Sequence, residues 1–355
     1  MRVTLSVAIV KMTKKLDVLS EMQYECFYFN KSIGHSVGRF NWDETLQSWI
    51  LSSFYYGYTI FNIPGGMLAD RIGGKYAVLL ATFGSAAFTL LTPLSAYVNV
   101  YALMVLRLCE GIVESPFYTG GAVLLNQWSL QKERTIFLSV AFSGAYIGTV
   151  FGQPITGYLC SLHFLNGWPL AFYVFGTLGI LWCIPWYIFI TENPSDSLFL
   201  SIKEKNEYPN ATLLNEKQSV VPWKEFLTCI PLLGLCVAQY GADMYFYLYI
   251  NSLPTYLSNV FGISISDNGL LNGIPFFFLF LGSVTFSIAT DYIRTRWFSA
   301  RITRTTLIMG FATMSCVLGF FIQSVGCCPY AAIAMISTML FLNGGYVYQV
   351  SPVIL

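Results

Sequence analysis

The chain has 355 residues, of which 55% are hydrophobic and only 10% are charged. Soluble domains carry charges at about 25% of their positions, so this composition excludes an ordinary water-soluble protein. The formal net charge is +1, and a nearly neutral chain gives no electrostatic basis for binding nucleic acid or an acidic partner. The lipid bilayer is therefore the expected surroundings of this chain.

Apolar stretches recur along the whole sequence. Nine of them are close to or above the roughly 20 residues that a helix needs to cross the hydrocarbon core: 47–68, 76–96, 101–125, 136–160, 170–190, 226–253, 270–289, 305–323 and 330–349. A tenth apolar piece, 3–12, is too short to span. Because lipid offers no hydrogen bonds to the backbone, each span must be helical. The sequence therefore predicts an all-α, multi-pass membrane protein.

Lysine and arginine are distributed unevenly between the loops. They occur after the first, third, fifth and seventh full spans, whereas the short loops near residues 98, 163, 258 and 326 contain neither. Cytoplasmic loops carry the excess of basic residues, so the basic set faces the cytoplasm. The segment 13–44 then faces outward or into a lumen, which makes the sequon at Asn30 a candidate for glycosylation.

Four charged residues lie inside the full spans: Arg107, Glu110, Glu114 and Asp243. A charge at the centre of a spanning helix costs about 2.5–3.5 kcal/mol on insertion scales, so such residues normally face a cavity or a partner. At about 100° per residue, the first three fall within an arc of roughly 60°. One face of this helix is therefore a polar stripe, and it is the strongest candidate for a transport site.

Two interpretations of these charges remain open. In the first they are structural, with Arg107 neutralised by Glu110 one turn away and Asp243 making a polar contact between helices. In the second they bind solute and ions. Both histidines, His35 and His163, lie in loops, so carboxylates must carry any co-transported proton.

The sequence contains no constellation that indicates an enzyme. An arranged nucleophile, base and stabiliser, or a set of metal ligands, is missing. The longest loops, near 14–43 and 192–221, are too small to fold as catalytic domains. A Walker-type GxxxxGK(S/T) loop is also missing, which argues against an ATP-driven pump. We therefore expect a secondary transporter without cofactor or metal.

A motif rich in small residues closes the first full span and reads GGMLADRIGGK over residues 65–75. Small residues allow close helix approach, Asp70 can bond the N-terminus of a neighbouring helix, and Arg71 and Lys75 hold the cytoplasmic surface. A weaker echo, SIATDYIR, closes the seventh full span at 287–294. Such a distant repeat indicates two homologous halves.

The first motif resembles the G-x-x-x-D-R-x-G-R-K signature of the major facilitator superfamily, with Gly74 where arginine is usual. More specific segments are RVTLSVAIV at 2–10, WDET at 42–45, ILSSFYYGY at 50–58, RLCEGIVE at 107–114 and LPTY at 253–256. Together they resemble the anion:cation symporter family, which contains the sodium/phosphate cotransporters, sialin and the vesicular glutamate transporters.

This resemblance implies a helix bundle of two pseudo-repeated halves, of which the chain holds an incomplete set. On that basis residues 1–12 are the remnant of the first transmembrane helix, 13–45 an outer or lumenal loop, 46–190 helices two to six, 191–225 a cytoplasmic linker, and 226–355 helices seven to ten. The ends are interpreted as those of a fragment or an incomplete gene model. The alternative is a truncated, transport-inactive protein that associates with a full-length relative.

The resemblance also implies roles for single residues. A small anionic substrate would be bound by Arg2, Arg107, Asp243 and Asn343, since an arginine fork donates two parallel hydrogen bonds to a carboxylate. The resemblance implies coupling to protons or sodium, and proton coupling would fall to Glu110 and Glu114. The conformational gating motif would consist of Gly66, Asp70, Arg71, Gly73 and Lys75.

Two departures from the family pattern limit the choice of substrate. Leu51 stands where the vesicular glutamate transporters have a histidine in helix two, and Ala242 stands where they have an arginine in helix seven. These departures argue against glutamate. The resemblance leaves open which anion moves, the oligomeric state, and whether the host is the plasma membrane or a lysosomal or vesicular membrane.

Overall fold

The computed structural model describes residues 1–13, 38–129, 134–162, 164, 167–197, 200, 223–296, 300–325 and 328–354. Across these residues the regular secondary structure is helical, as the sequence predicts, and the only extended pairing there is an isolated bridge between Thr13 and Phe40. The sequon at Asn30 lies outside the described residues.

The helices are long, and in chain order they are α1 (Thr4–Met12), α2 (Glu44–Ile72), α3 (Gly74–Val98), α4 (Val100–Glu114), α5 (Pro116–Trp128), α6 (Arg134–Ser161), α7 (Trp168–Phe189), α8 (Trp223–Thr228), α9 (Ile230–Phe261), α10 (Ile265–Arg296), α11 (Ala300–Phe321) and α12 (Pro329–Ile354). Short 3-10 turns cover Pro194–Asp196 and Ile322–Val325. Every predicted span falls on this helical framework.

Two predicted spans are each divided between two helices. The third breaks at Ser115 because Pro116 has no N–H to donate and its ring crowds the preceding turn. The carbonyl of Ile112, which an N–H at position 116 would normally reach, instead accepts bonds from the N–H of Ser115 at 3.4 Å and from its hydroxyl at 2.8 Å. The sixth predicted span is divided at Cys229, just before a proline in the first turn of α9.

The chain forms two compact units. The first comprises Met1–Arg2, Trp42–Leu138 and Phe164–Val221, and the second comprises Val3–Asn41, Ser139–His163 and Pro222–Leu355. In the first unit α2 packs on α4, and α3 packs on α4, α5 and α7. In the second unit α12 packs on α10, α11 and α9, around a core that includes Leu253, Leu257, Phe276, Leu279, Ile336 and Leu340.

Large apolar side chains are exposed along the outer faces of these helices, among them Ile60, Leu94, Val98, Ile188, Val237 and Phe320. So many exposed large apolar side chains are typical of a surface that faces lipid. Within the described residues, three helical segments are long and apolar enough by themselves to cross a membrane: Gly74–Val98, Trp168–Phe189 and Ile265–Phe286. Both observations are those of an integral membrane protein.

Candidate functional site

The polar stripe of α4 lies inside the first unit. Arg107 and Glu110 form an ion pair, with 2.7 Å between Nη1 and Oε2, and their side chains are only 4% and 0% exposed. The Nε of Arg107 is buried and has no hydrogen-bond partner among the described residues. This arginine therefore keeps a donor uncommitted while its charge is balanced.

A pair of glycines allows α4 to lie directly against α2. A Cβ on Gly111 would come within 2.1 Å of the Phe54 carbonyl oxygen, and a Cβ on Gly57 within 2.2 Å of the Leu108 carbonyl oxygen. Real side chains cannot approach so closely, so backbone contact here requires glycine. The contact brings the aromatic side chains of α2 to the edge of the charged stripe.

Helix α3 supplies hydroxyl groups to the two acids. The hydroxyl of Thr89 donates to Glu110 Oε1 at 3.2 Å. The hydroxyl of Ser85 lies 3.1 Å from Glu114 Oε2 and 3.5 Å from Glu110 Oε1. Both hydroxyl side chains are buried. These hydroxyl groups form hydrogen bonds with the oxygens of Glu110 and Glu114, which would otherwise lose their bonds to water when they are buried. The free-energy cost of burying the two carboxylates is therefore lower.

Arg2 completes a second ion pair. Its Nε donates to Glu114 Oε1 at 2.7 Å, and the two side chains are 17% and 15% exposed. Three aromatic rings surround the guanidinium, with Cζ at 4.6 Å from the ring centre of Tyr58, 5.2 Å from Phe54 and 5.5 Å from Tyr118. The quadrupole of an aromatic ring stabilises a guanidinium that lies over its face. The three rings therefore stabilise the Arg2 cation in addition to its ion pair with Glu114.

The structure thus brings together four of the predicted site residues: Arg2, Arg107, Glu110 and Glu114. Asp243 and Asn343 belong to the second unit. Asp243, on α9, is exposed and accepts a bond from the amide of Gln239 one turn earlier at 3.1 Å. Asn343 is buried on α12.

Sequence reasoning missed Ser85 and Thr89, although a signal was present. The two residues are four apart in the second full span, so they share one face of a helix that also carries the hydroxyl residues Thr82, Thr92 and Ser95. Hydroxyl residues are common in spanning helices because they can bond to their own backbone, and Thr89 also does so, with its hydroxyl 2.7 Å from the Ser85 carbonyl oxygen. The pattern alone therefore did not distinguish them from structural hydroxyls.

The motif that the resemblance predicts to act in gating lies at the turn between α2 and α3. Gly73 has φ of +91°, a conformation that favours glycine. The N-terminus of α3 is capped by Glu192, whose carboxylate accepts hydrogen bonds from the N–H groups of Gly74 at 2.7 Å and Lys75 at 2.9 Å. Asp70, the acid expected to bond a helix N-terminus, is exposed. The N-terminus of α3 is therefore capped by an acid that lies just after α7, a contact that the sequence analysis does not include.

The remaining motif residues line the same turn. Gly66 is half-buried and Arg71 is exposed, both in the last turns of α2. The carbonyl of Lys75 accepts from the indole N–H of Trp186 at 3.1 Å, and the Lys75 ammonium lies 5.1 Å from the ring centre of Tyr187. The C-terminal half of α7 is therefore fastened to the start of α3.

Comparison with known proteins decides the family. The sequence matches the Major Facilitator Superfamily over residues 8–354. This chain belongs to the Major Facilitator Superfamily. Within it, sheep (Ovis aries) sialin is 34% identical over 97% of this chain and 70% of that protein, and a putative inorganic phosphate cotransporter of Drosophila ananassae is 32% identical over 97% of this chain and 73% of that protein.

Other members of the superfamily are more distant. Vesicular glutamate transporter 3 of Danio rerio is 29% identical over 90% of this chain and 54% of that protein. A bacterial homologue of the human lysosomal transporter Spinster, in an inward-facing and unoccupied conformation, shares the fold with a TM-score of 0.61 at 16% identity, covering 99% of this chain and 72% of the other. The D-xylose–proton symporter has a TM-score of 0.58 at 13% identity, covering 98% and 80%.

These relatives confirm the resemblance to the anion:cation symporters of the major facilitator superfamily, and they are transporters, not enzymes. The chain is accordingly an integral membrane protein of a transporter family. The substrate, the coupling ion and the roles of single residues are matters for proposal.

Proposed function

We propose that this protein carries a small organic or inorganic anion across its membrane by proton-coupled symport with alternating access. Arg2 and Arg107 bind the anion, and Glu110 and Glu114 carry the proton. The host is a plasma, lysosomal or vesicular membrane. Among the relatives, the names phosphate cotransporter and vesicular glutamate transporter specify anions, which supports an anionic substrate here.

The observation that carries the proposal is that each arginine of the site is neutralised by a glutamate 2.7 Å away. A guanidinium whose charge is balanced in this way attracts an anion weakly. Protonation of the glutamate removes the balancing charge and leaves the arginine free to bind the anion with charge-assisted hydrogen bonds. Anion binding is therefore linked to proton uptake, and each ligand strengthens the binding of the other.

Sodium is the alternative coupling ion. A sodium ion beside a carboxylate would also weaken an arginine–glutamate pair, but Na⁺ needs several oxygen ligands, whereas a proton needs one. The hydroxyl groups of Ser85 and Thr89 already donate hydrogen bonds to the carboxylates. A sodium ion would have to replace these bonds in order to gather enough oxygen ligands, whereas a proton can bind one carboxylate oxygen and leave them in place, which favours the proton. Asp243 and Asn343 remain proposed substrate contacts on the strength of the family resemblance.

Reconstituted protein tests the proposal. Uptake of phosphate, sialic acid and glutamate into proteoliposomes is measured with an acid-outside pH gradient, with Na⁺ or choline outside. We expect uptake of at least one anion that requires the pH gradient and continues in choline. Uptake that requires Na⁺ and does not depend on the pH gradient would refute proton coupling. Absence of uptake for all three anions would refute transport.

Site variants test the residue roles. Arg107→Ala is expected to reduce uptake by about tenfold to a hundredfold, because a hydrogen bond to a charged group contributes about 1.5–3 kcal/mol. Glu114→Gln is expected to abolish the dependence on the pH gradient. Matched controls are Arg39→Ala and Glu44→Gln, since both side chains are exposed. Parent-like transport by both site variants would show that the assignment is wrong.

A further inference from the structure

The two acids of the site differ in their access to water. Glu114 is 15% exposed, whereas Glu110 is 0% exposed and paired with an arginine that is itself buried. A proton arriving from water therefore reaches Glu114 directly and has no aqueous route to Glu110. Yet Glu110 neutralises Arg107, so Arg107 stays occupied until a proton reaches Glu110.

One hydroxyl group joins the two acids. Ser85 Oγ is 3.1 Å from Glu114 Oε2 and 3.5 Å from Glu110 Oε1, and its side chain is buried. Thr89, the other hydroxyl on this face of α3, bonds to Glu110 and to the Ser85 carbonyl. A serine hydroxyl can accept one hydrogen bond while donating another, so Ser85 has the chemistry and the position of a proton relay.

We propose that Ser85 passes the transported proton from Glu114 to Glu110, a role that rests on the proton coupling proposed above. The protonated Glu114 gives the hydrogen on Oε2 to Ser85 Oγ, while the Ser85 hydroxyl hydrogen moves to Glu110 Oε1. Serine is neutral before and after, Glu114 returns to the carboxylate that pairs with Arg2, and Glu110 becomes the neutral acid. The separation of 3.5 Å has to shorten by about half an ångström to reach an ordinary O–H···O distance.

The surroundings make this direction of transfer productive. Each position of the proton neutralises the acid of one ion pair: at Glu114 it removes the charge that balances Arg2, and at Glu110 it removes the charge that balances Arg107, the more deeply buried arginine. One proton therefore suffices to expose the buried anion-binding group. The charged or titratable groups that face the two acids are Arg2, Arg107 and the amino group of Met1. Tyr58 and Tyr118 lie against the guanidinium of Arg2.

The test compares two kinds of flux through the full chain in proteoliposomes. Net uptake driven by a pH gradient requires the carrier to gain and lose its proton in every cycle. Exchange of labelled for unlabelled anion, at equal acidic pH on both sides, lets the carrier move in both directions without losing it. Loss of a relay therefore slows net uptake and spares exchange, whereas structural damage lowers both.

The matched pair is Ser85→Thr and Ser85→Val, because these side chains are close in shape and differ by a hydroxyl group. We expect Ser85→Val to lower net uptake by about tenfold or more with exchange within about twofold of the parent, and Ser85→Thr to retain both fluxes. Ser85→Ala replaces the pair if the larger side chains prevent folding. Ser95→Ala is the control, since Ser95 is buried on the same helix and its hydroxyl donates to the Thr92 carbonyl.

Equal loss of net uptake and exchange in the variants lacking the hydroxyl would overturn the relay, as would parent-like net uptake in both Ser85→Val and Ser85→Ala. Either result leaves proton coupling intact if the parent responds to the pH gradient. Failure of the parent to respond refutes proton coupling itself and the relay with it.

Discussion

Replacing Arg107 with leucine should show how much the buried ion pair contributes to stability. The change leaves the Glu110 carboxylate 0% exposed without its cation. Removing one partner of a buried pair costs about 3–5 kcal/mol. The hydroxyl of Thr89 still donates to Glu110 at 3.2 Å, which places the expected loss at the low end, about 3 kcal/mol.

The double variant Arg107→Leu/Glu110→Leu separates structure from transport. Replacing a buried pair by apolar side chains of similar volume is often neutral or stabilising, so the double variant should regain the parent's stability while transport stays abolished. A purely structural ion pair would predict recovery of both properties.

The assay is the fraction of monodisperse protein after heating in detergent, with uptake measured on the same preparations. At about 2–4 °C per kcal/mol, the single variant should melt roughly 6–12 °C below the parent. Parent-like melting of Arg107→Leu would show that the pair is not buried as described. Transport by the double variant would show that these two residues neither bind the anion nor couple the proton.

Two further predictions concern positions that support the site. Gly111→Ala should destabilise the protein by about 1–3 kcal/mol or more, because the new Cβ would lie 2.1 Å from the Phe54 carbonyl oxygen. Gly121→Ala is the control and should melt like the parent, since a Cβ there meets nothing within 4 Å. Equal melting temperatures of the two variants would contradict the contact between α2 and α4. Glu192→Gln should lower stability by up to about 2 kcal/mol through loss of charge at the N-terminus of α3, and the exposed Glu225→Gln serves as its control. Unchanged melting of Glu192→Gln would show that the carboxylate does not stabilise that helix end.

The helical framework was predictable because each span is set by local composition. In a run of about 20 apolar residues within lipid, the backbone N–H and C=O groups can form hydrogen bonds only with each other, so the run folds as a helix. Breaks within the spans were less visible. Pro116 interrupts its helix, while Pro64, Pro93 and Pro185 lie inside continuous helices. Whether a proline breaks a helix or lies inside it depends on the residues around it. The density of apolar residues, from which the spans are predicted, does not distinguish the two cases.

The charged half of the site was predictable for a related reason. A charge in a spanning helix is costly enough to require an explanation, and the i, i+3 and i, i+7 spacing put Arg107, Glu110 and Glu114 on one face. The neutral partners were not predictable in the same way. A buried serine such as Ser85 costs little in a spanning helix, so its presence does not call for a functional reason.

Glu192 shows a second limit. It follows the fifth predicted span by two residues and so belonged, by composition, to a polar cytoplasmic loop. Its function at the N-terminus of α3 depends on a contact more than a hundred residues away in sequence. Local sequence pattern does not reveal this contact, because the acid and the helix end that it caps lie far apart in the chain.

The pairing of charges also determines how the proposed transport should respond to membrane voltage. The four charged side chains Arg2, Arg107, Glu110 and Glu114 sum to zero in the empty site, which keeps the cost of holding them within the bilayer low. Adding one proton and one monovalent anion leaves the sum at zero. The loaded site therefore carries the same net charge as the empty site, and a full cycle moves no net charge, whereas each unbalanced charge would be worth about 2.3 kcal/mol per 100 mV. Uptake of a monovalent anion should then be the same with the membrane potential clamped at zero or at a negative value by a potassium gradient and valinomycin. A strong dependence on potential would mean that more than one proton, or another ion, accompanies the anion, and the pairing of one proton with one released arginine would have to be abandoned.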